Sequence, residues 1–523
     1  MSSRARSSAT RTTAGPSPPA SRNSEPTFPA RPPPAGRART GARMPFSRES
    51  LDQARRRLRA AGQEHVLSFV DRLTDAQRGA LVQQVEGLDL ESLPALVDRY
   101  VRRKESYHLP EGLAPAPYYP RDPRSTQRPW DASRSRRAGE ALLREGAVGV
   151  FTVAGGQGTR LGYDGPKGAF IGGAVTGKSL FACIADWIIA AEKRYGRPVP
   201  WAIMTSPLNH HATVAYFNEH AFFGLEERDV LFFSQGVLPS LDMETGRLLL
   251  SSQGEIATNP DGHGGSLRAL HHSGAIAEMK RRGVRHLSYT QIDNPLCRAI
   301  DPVFIGLHAS AEDSSGEMSS KMVPKTDPGE KVGVFCTAGG KVQVIEYSDL
   351  PRDLGEQRDE RGGLRFNAGS IAIHMIGVEF VERLNAGGGF GLPLHRAEKK
   401  VPFVDLATGA RVDPPKPNAV KLEAFVFDAI PMARSSIIYE TDRVEEFAPI
   451  KNADGADSPA TSARIQTLRA ARWLESRGVV VPRNPYGEPD CTLEINPITA
   501  MDPSDLDPAR LPPEIPRGER MAF

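Results

Sequence analysis

The sequence predicts an α/β fold: a central sheet of buried strands interleaved with helices, preceded by a helical region and followed by a small part of short strands and loops. Three observations carry that expectation. Apolar runs such as AVGVFTVA (147–154) and PVPWAIMTS (198–206) alternate with helical patterns such as SLFACIADWIIAAEKRYG (179–196), the order that packs helices against a parallel sheet. At 523 residues the chain exceeds one ordinary core, and about two to four parts are expected. Its 39% apolar and 25% charged residues describe a globular protein, and no run of ~18 apolar residues is present to cross a membrane.

In chain order, residues 1–43 come first, with eight Arg and one Glu among Pro, Ser and Ala. Lacking large apolar side chains, they cannot offset the entropy of ordering and are expected to form a disordered tail, or not to exist if translation starts at Met44. Eight minus one leaves +7 in this tail, so the net +3 of the whole chain leaves −4 for the rest, which removes the simplest case for nucleic-acid binding. Residues 44–115 show helical spacing (Leu51, Leu58, Val66, Val70; then Leu81, Val82, Val85; then Leu93, Leu96, Val97, Tyr100), with Thr74 placed as an N-cap.

Residues 116–460 hold the alternation, entered through a Pro- and Tyr-rich stretch (110–129) expected to run extended. Further strands are expected at 230–235, 286–293, 332–338 and 341–348, and a helix at 267–283. Residues 461–523 are expected to give short strands and loops. Four cysteines, Cys183, Cys297, Cys336 and Cys491, show no CxxC spacing, which argues against a disulfide framework or zinc site and for a reducing, cytoplasmic setting. The histidine pairs 210/211 and 271/272 point apart on any regular element and are expected at the surface.

The chemistry concentrates in VAGGQGTRLGYDGPKGAF (153–170), where glycines free the backbone amides to close around phosphate oxygens. Three nucleotide-binding readings compete. A dinucleotide fingerprint needs Gly at 161, which is Leu. GGAVTGKS (172–179) satisfies the P-loop pattern, but only AFI precedes it where a long buried strand is needed, so the alternative is a turn whose Lys178 and Ser179 start a helix. The third reading takes 153–168 as one unit: it resembles the LxxGxGTRLG…PKG signature of UTP:sugar-1-phosphate uridylyltransferases, most closely the UDP-N-acetylhexosamine pyrophosphorylases. Segments similar to that family follow in order, among them FFSQGVLPSLD (232–242), PDGHGGSLRAL (260–270), YTQIDNPL (289–296), VIEYSDLP (344–351), FNAGSIAIH (366–374), PNAVKLEAFVFD (417–428) and FAPIKNADG (447–455).

The resemblance implies a Rossmann-like nucleotidyltransferase (GT-A-like) with a mixed sheet and helices on both faces. It implies transfer of uridylyl from UTP to a hexose-1-phosphate, with Mg²⁺ as cofactor; charge and the lack of a long apolar run add the expectation of neither nucleic acid nor membrane as partner. It carries Val153, Ala154, Gly155 and Gly156 to the uracil and ribose side, and the amides from Gly156 through Gly158 and Thr159 to the phosphates. Arg160 and Lys167 become the triphosphate cations, and Gln235 and Gly262 the uracil contacts. Asp293 is placed at nucleotide and metal, Lys421 at the α-phosphate, Lys451 at the sugar phosphate, and Glu346 with Tyr347 at the sugar hydroxyls.

Two positions depart from the N-acetylhexosamine pattern: His263 and Ser370 each stand where the family has Asn beside the sugar. The expected acceptor is N-acetylglucosamine-1-phosphate, with a glucose-1-phosphate or broad UDP-sugar enzyme as the alternative. A P-loop ATPase or a non-catalytic UDP-sugar binder ranks below both.

Overall fold

A mixed sheet of ten strands organises the computed structural model, which describes residues 47–105, 109–386 and 391–523. The expectations for residues 1–43 lie outside the described residues. Its strands in chain order are β1 (Ala114–Pro115), β2 (Val148–Val153), β3 (Trp201–Thr205), β4 (Val230–Ser234), β5 (His286–Gln291), β6 (Met318–Pro324), β7 (Val334–Ala338), β8 (Lys341–Ile345) and β9 (Ala368–Gly377). Ile438–Glu440 supplies the tenth. The spatial order is β1-β7-β9-β5-β2-β3-β4, with β6 and β8 joined at β9 and β7.

β5, β2, β3 and β4 run parallel, as the buried alternation predicts. β9 pairs antiparallel with both β5 and β6, so the sheet is mixed, as the family resemblance implies and the strand and helix alternation alone does not. β2 is buried along nearly its whole length, and Thr152 fixes register within it: its hydroxyl meets Thr290 Oγ1 at 3.0 Å and accepts from Trp201 Nε1 at 2.8 Å. A buried polar trio satisfied across three strands penalises any one-residue slip.

Ahead of the sheet lie α1 (Arg48–Ala60) and α2 (Asp75–Gly87). α2 is capped as predicted by Thr74, whose hydroxyl accepts from Gln77 N–H. Their apolar side chains pack with Leu241, Leu248, Leu250 and Val420, so this helical region shares its core with the strands beyond it. α3 (Ala132–Glu145) precedes β2. α4 (Leu180–Tyr195) has Ser179 as N-cap and Gly196 in the left-handed region as its stop, and buries Phe181, Ile184, Trp187 and Ile188 against the sheet.

Three local expectations need correction. The helix at 267–283 is two helices, α5 (Gly265–His272) and α6 (Ala275–Arg281), because Gly274 takes φ +82° between them. The strand at 341–348 ends at Ile345, and Glu346 and Tyr347 fall in the following turn. Beyond residue 460 the chain is more helical than expected: α7 (Pro459–Ser476) begins at the N-cap Ser458 and dominates the segment, followed by short strands at Thr492–Glu494 and Arg520–Ala522.

Candidate active site

The carboxyl ends of β2, β3, β4 and β5 form one rim, where open α/β sheets bind their ligands. The glycine loop leaves β2 there and is pinned by a residue the sequence reading does not single out. Asn209, fully buried, donates from Nδ2 to the carbonyls of Ala154 (2.9 Å) and Gly156 (3.1 Å), while its Oδ1 accepts from Ser206 N–H (2.8 Å). Within the loop, Lys167 N–H donates to Gly156 O at 3.1 Å, folding PKG back beneath the glycines.

A Cβ on Gly155 would stand 2.3 Å from Gln235 Oε1, so the predicted uracil-side glutamine packs directly against Gly155, next to Val153 and Ala154 in the chain. Thr159 and Arg160 sit on an exposed turn, and the Arg160 guanidinium has no hydrogen-bond or ion-pair partner among the described residues. Gly158 is buried and its N–H donates to Gly165 O (3.0 Å), so, against expectation, that amide is not free to meet a phosphate.

Lys167 extends to the end of β5, with Nζ 3.2 Å from Asp293 Oδ2 and both side chains largely buried. Asp293 also accepts through its backbone carbonyl from Ile450 N–H (2.8 Å), which brings the neighbouring Lys451 to the same place from the other end of the chain. Lys451 Nζ lies 5.8 Å from the centre of the Phe447 ring and 3.6 Å from Asp457, a half-exposed pair of the kind that adds little to stability and leaves the ammonium free to engage an anion.

Beside these groups opens a cavity of about 170 Å³ lined by Asp293, Lys451, His263, Glu346 and Ser370, five of the residues selected by resemblance. Lys331, Asn294 and Cys297 line it too, without any sequence signal that marked them. Its far wall owes its shape to an irregularity in β9. Ser320 pairs with His374 and Met322 with Ser370, so three residues of β9 oppose one of β6, and Ala372 takes φ +54°. Such a bulge re-aims side chains at a cost of roughly 1–3 kcal/mol, and Ser370 and Ala372 both face the cavity because of it.

His263 packs on Phe425 (ring centroids 5.3 Å apart), and its Nδ1 accepts from Val426 N–H (3.1 Å), which leaves Nε2 carrying the proton. Burial, reinforced by the nearby His395, pushes its pKa down to about 4, so it is a neutral donor at physiological pH. Burial also raises the Glu346 carboxyl. The PDGHGG turn holding His263 hugs the chain after the strand Ala419–Glu423. Gly262, at φ +83°, is needed because a Cβ would meet Ala424 O at 2.3 Å. Lys421 lies on that strand, outside the cavity lining, and Tyr347 is 47% exposed and also outside it.

In the same turn Asp261 packs its carboxyl against Gly236 and Gly265, with Oδ1 buried and unpartnered among the described residues, and burial pushes its pKa up to about 6. A raised carboxyl favours the folded state while protonated, and that contribution fades as pH climbs from about 4 through about 6. We therefore expect Asp261→Asn to match the parent protein near pH 4 and to be roughly 1–3 kcal/mol more stable at pH 8 in urea unfolding. Equal stabilities at both pH values would show the carboxyl to be better solvated than its packing indicates.

The P-loop reading fails on geometry. The amides of Val175 (2.7 Å) and Thr176 (2.9 Å) are taken by the Glu494 carboxylate, and Lys178 Nζ by Asp186 (2.6 Å), so 172–179 is a turn leading to the N-cap Ser179. His210 is not a free surface ring, since its Nδ1 meets Thr205 Oγ1 at 2.7 Å. Among the described residues no group of three or more His, Cys, Asp or Glu is placed to hold a metal, and no helix is long and apolar enough to cross a membrane.

A glycine loop, two lysines and one carboxylate at the carboxyl rim of a mixed α/β sheet define a nucleotidyltransferase. The chain belongs to the family described as UTP–glucose-1-phosphate uridylyltransferase, whose model matches residues 125–466. It is 36% identical over 445 residues to UDP-N-acetylhexosamine pyrophosphorylase-like protein 1 of Xenopus tropicalis, covering 83% of this chain and 86% of the relative. It is 38% identical over 353 residues to UDP-N-acetylglucosamine pyrophosphorylase of Saccharomyces cerevisiae, covering 66% and 73%. The crystal structure of the Trypanosoma brucei uridine diphosphate N-acetylglucosamine pyrophosphorylase, solved with an inhibitor, superposes with a TM-score of 0.73 at 26% identity, covering 90% of this chain and 98% of that one.

Proposed function

We propose that this enzyme forms UDP-N-acetylglucosamine and pyrophosphate from UTP and N-acetylglucosamine-1-phosphate. The observation that carries the reading is the convergence of Lys167, Asp293 and Lys451 beside a cavity that also holds the sugar-side residues His263, Glu346 and Ser370. An oxygen of the sugar phosphate attacks the α-phosphorus of UTP. The new P–O bond forms as the bond between the α-phosphorus and its bridging oxygen breaks, and pyrophosphate leaves with that electron pair. No nucleophilic side chain is needed; the protein's work is to align the two phosphates and neutralise their charge.

The cavity of about 170 Å³ is small beside the ~300–1,000 Å³ typical of larger ligands, which suits the sugar end alone. The nucleotide then lies along the open rim, with uracil at Gln235 and Gly262, the phosphates over Gly156 and Thr159, and Lys421 on the α-phosphate side. Arg160, exposed and unpartnered among the described residues, is suited to grip departing pyrophosphate through two oxygens. Mg²⁺ fits as a substrate-borne ion: Asp293 offers the single carboxylate that, with phosphate oxygens, suffices for that metal. When bound it adds positive charge beside the phosphates. The four unpaired cysteines support a reducing, cytoplasmic setting.

A second acceptor, glucose-1-phosphate, is favoured by His263, a neutral ring standing where the N-acetylhexosamine pattern has Asn. We expect pyrophosphate release with UTP and Mg²⁺ to show a higher kcat/KM for N-acetylglucosamine-1-phosphate than for glucose-1-phosphate, in a panel that includes the two galactose counterparts. The reverse order, with N-acetylglucosamine-1-phosphate inert, would transfer the assignment to the second acceptor.

A further inference from the structure

The two lysines of the site reach it from chain segments far apart, and a ring of hydrogen bonds ties those segments together behind the cavity. From Lys167 the chain runs a few residues to the turn at 172–176. There Gln466, on α7, donates from Nε2 to Gly172 O (2.8 Å) and accepts at Oε1 from Ala174 N–H (3.2 Å). The same Nε2 donates to Ser462 Oγ (3.2 Å), one turn earlier, and that hydroxyl donates to Ala448 O (2.8 Å). Ala448 N–H donates to Asn294 Oδ1 (3.1 Å), Ile450 N–H donates to Asp293 O (2.8 Å), and Asp293 returns to Lys167 (3.2 Å).

Ser462 is 1% exposed and Gln466 6%, and neither lines the cavity. A buried, fully engaged amide is a demanding way to pack a helix against a turn, since an apolar side chain of similar size fills the same space without needing its partners. What the amide supplies is a fixed distance between two backbones. Glu494 strengthens the same contact by accepting from the amides of Val175 and Thr176 and from Thr176 Oγ1 (2.7 Å).

We propose that Gln466, through Ser462, is a positioning residue that sets where Lys451 stands relative to Lys167 and Asp293. The inference rests on the reading that Lys451 takes the sugar phosphate. The C-terminal helix thereby becomes part of the catalytic apparatus without touching substrate.

A mutant cycle on the full-length protein tests this. Gln466→Leu is expected to lower kcat/KM for the sugar phosphate by ~10-fold in the parent and by less than twofold when Lys451 is already Ala, because the brace then has nothing left to position. Hydrogen exchange should show faster exchange at the amides of Ile450 and Lys451 in Gln466→Leu, with α4 unchanged. Equal losses in both backgrounds, or no loss in either, would overturn the proposal. If Gln466→Leu does not fold, Ser462→Ala runs the same cycle by deleting one hydroxyl. A parent protein inactive on every sugar phosphate sinks the proposed function instead, so the two failures are distinct.

Discussion

Lys167→Ala is expected to lower the rate of pyrophosphate release by ~100-fold or more, equivalent to about 2.7 kcal/mol of transition-state stabilisation. The expectation follows from where the ammonium stands. Its backbone is fastened to Gly156 O, its Nζ lies 3.2 Å from Asp293, and both side chains are largely shielded from water, so its charge acts at short range and low screening on whatever phosphate the glycine loop holds. Removing it withdraws a positive charge and also leaves the Asp293 carboxylate uncompensated beside an arriving polyanion. Lys167→Arg keeps the charge but replaces a compact ammonium with a larger planar fork in a largely buried place, and should recover only part of the loss. Full turnover by Lys167→Ala, measured at saturating UTP, would remove Lys167 from the mechanism.

Lys321→Met is expected to destabilise the fold by about 3–5 kcal/mol without any direct contact to substrate. Lys321 projects from β6 into the interior with no exposed surface. Its Nζ lies 2.6 Å from Asp301 Oδ2 and 2.6 and 2.7 Å from the two oxygens of Glu446, with the Phe304 ring 5.3 Å away. One ammonium thus holds two buried carboxylates. Asp301 is the N-cap of the helix Pro302–Ser310, and Glu446 leads into the loop that carries Lys451. Methionine fills most of the volume but leaves two like charges facing each other in a dry site. Guanidinium unfolding measures the loss; a change below about 1 kcal/mol would show that the cluster relaxes by taking in water or a proton.

How far these features could be read in advance depended on how local they are. α4 was legible almost to the residue because Ser179 and Gly196 are start and stop signals with their own hydrogen bonds. β2 and β3 were legible because each is a buried apolar run, whereas β5 is buried over residues 287–290 although most of its residues are polar. β9 shows in the sequence only as the motif FNAGSIAIH: its Ala372 bulge is imposed by pairing with the distant β6, and nothing in an alanine announces φ +54°. α7 carries equally local signals in Ser458, Pro459 and a helical pattern, against the expectation of short strands and loops there.

At the site, the cavity-lining Asp293, Lys451, His263, Glu346 and Ser370 were legible through the order of family-like segments, which is a record of chemistry. Asn209, Lys331 and Gln466 were not, since an asparagine pinning two carbonyls, a lysine reaching over a cavity and a glutamine bracing two loops look like ordinary surface residues until the chain is folded. Lys421 and Tyr347, implied by the same resemblance, lie outside the cavity lining.

A crystal structure of the protein with UDP-N-acetylglucosamine and Mg²⁺ decides most directly whether one crevice serves both substrates. The reading predicts the hexose among His263, Glu346 and Ser370, the diphosphate between Lys167 and Lys451, and the uracil against Gln235. A nucleotide seated elsewhere, or a hexose outside that cavity, would contradict it.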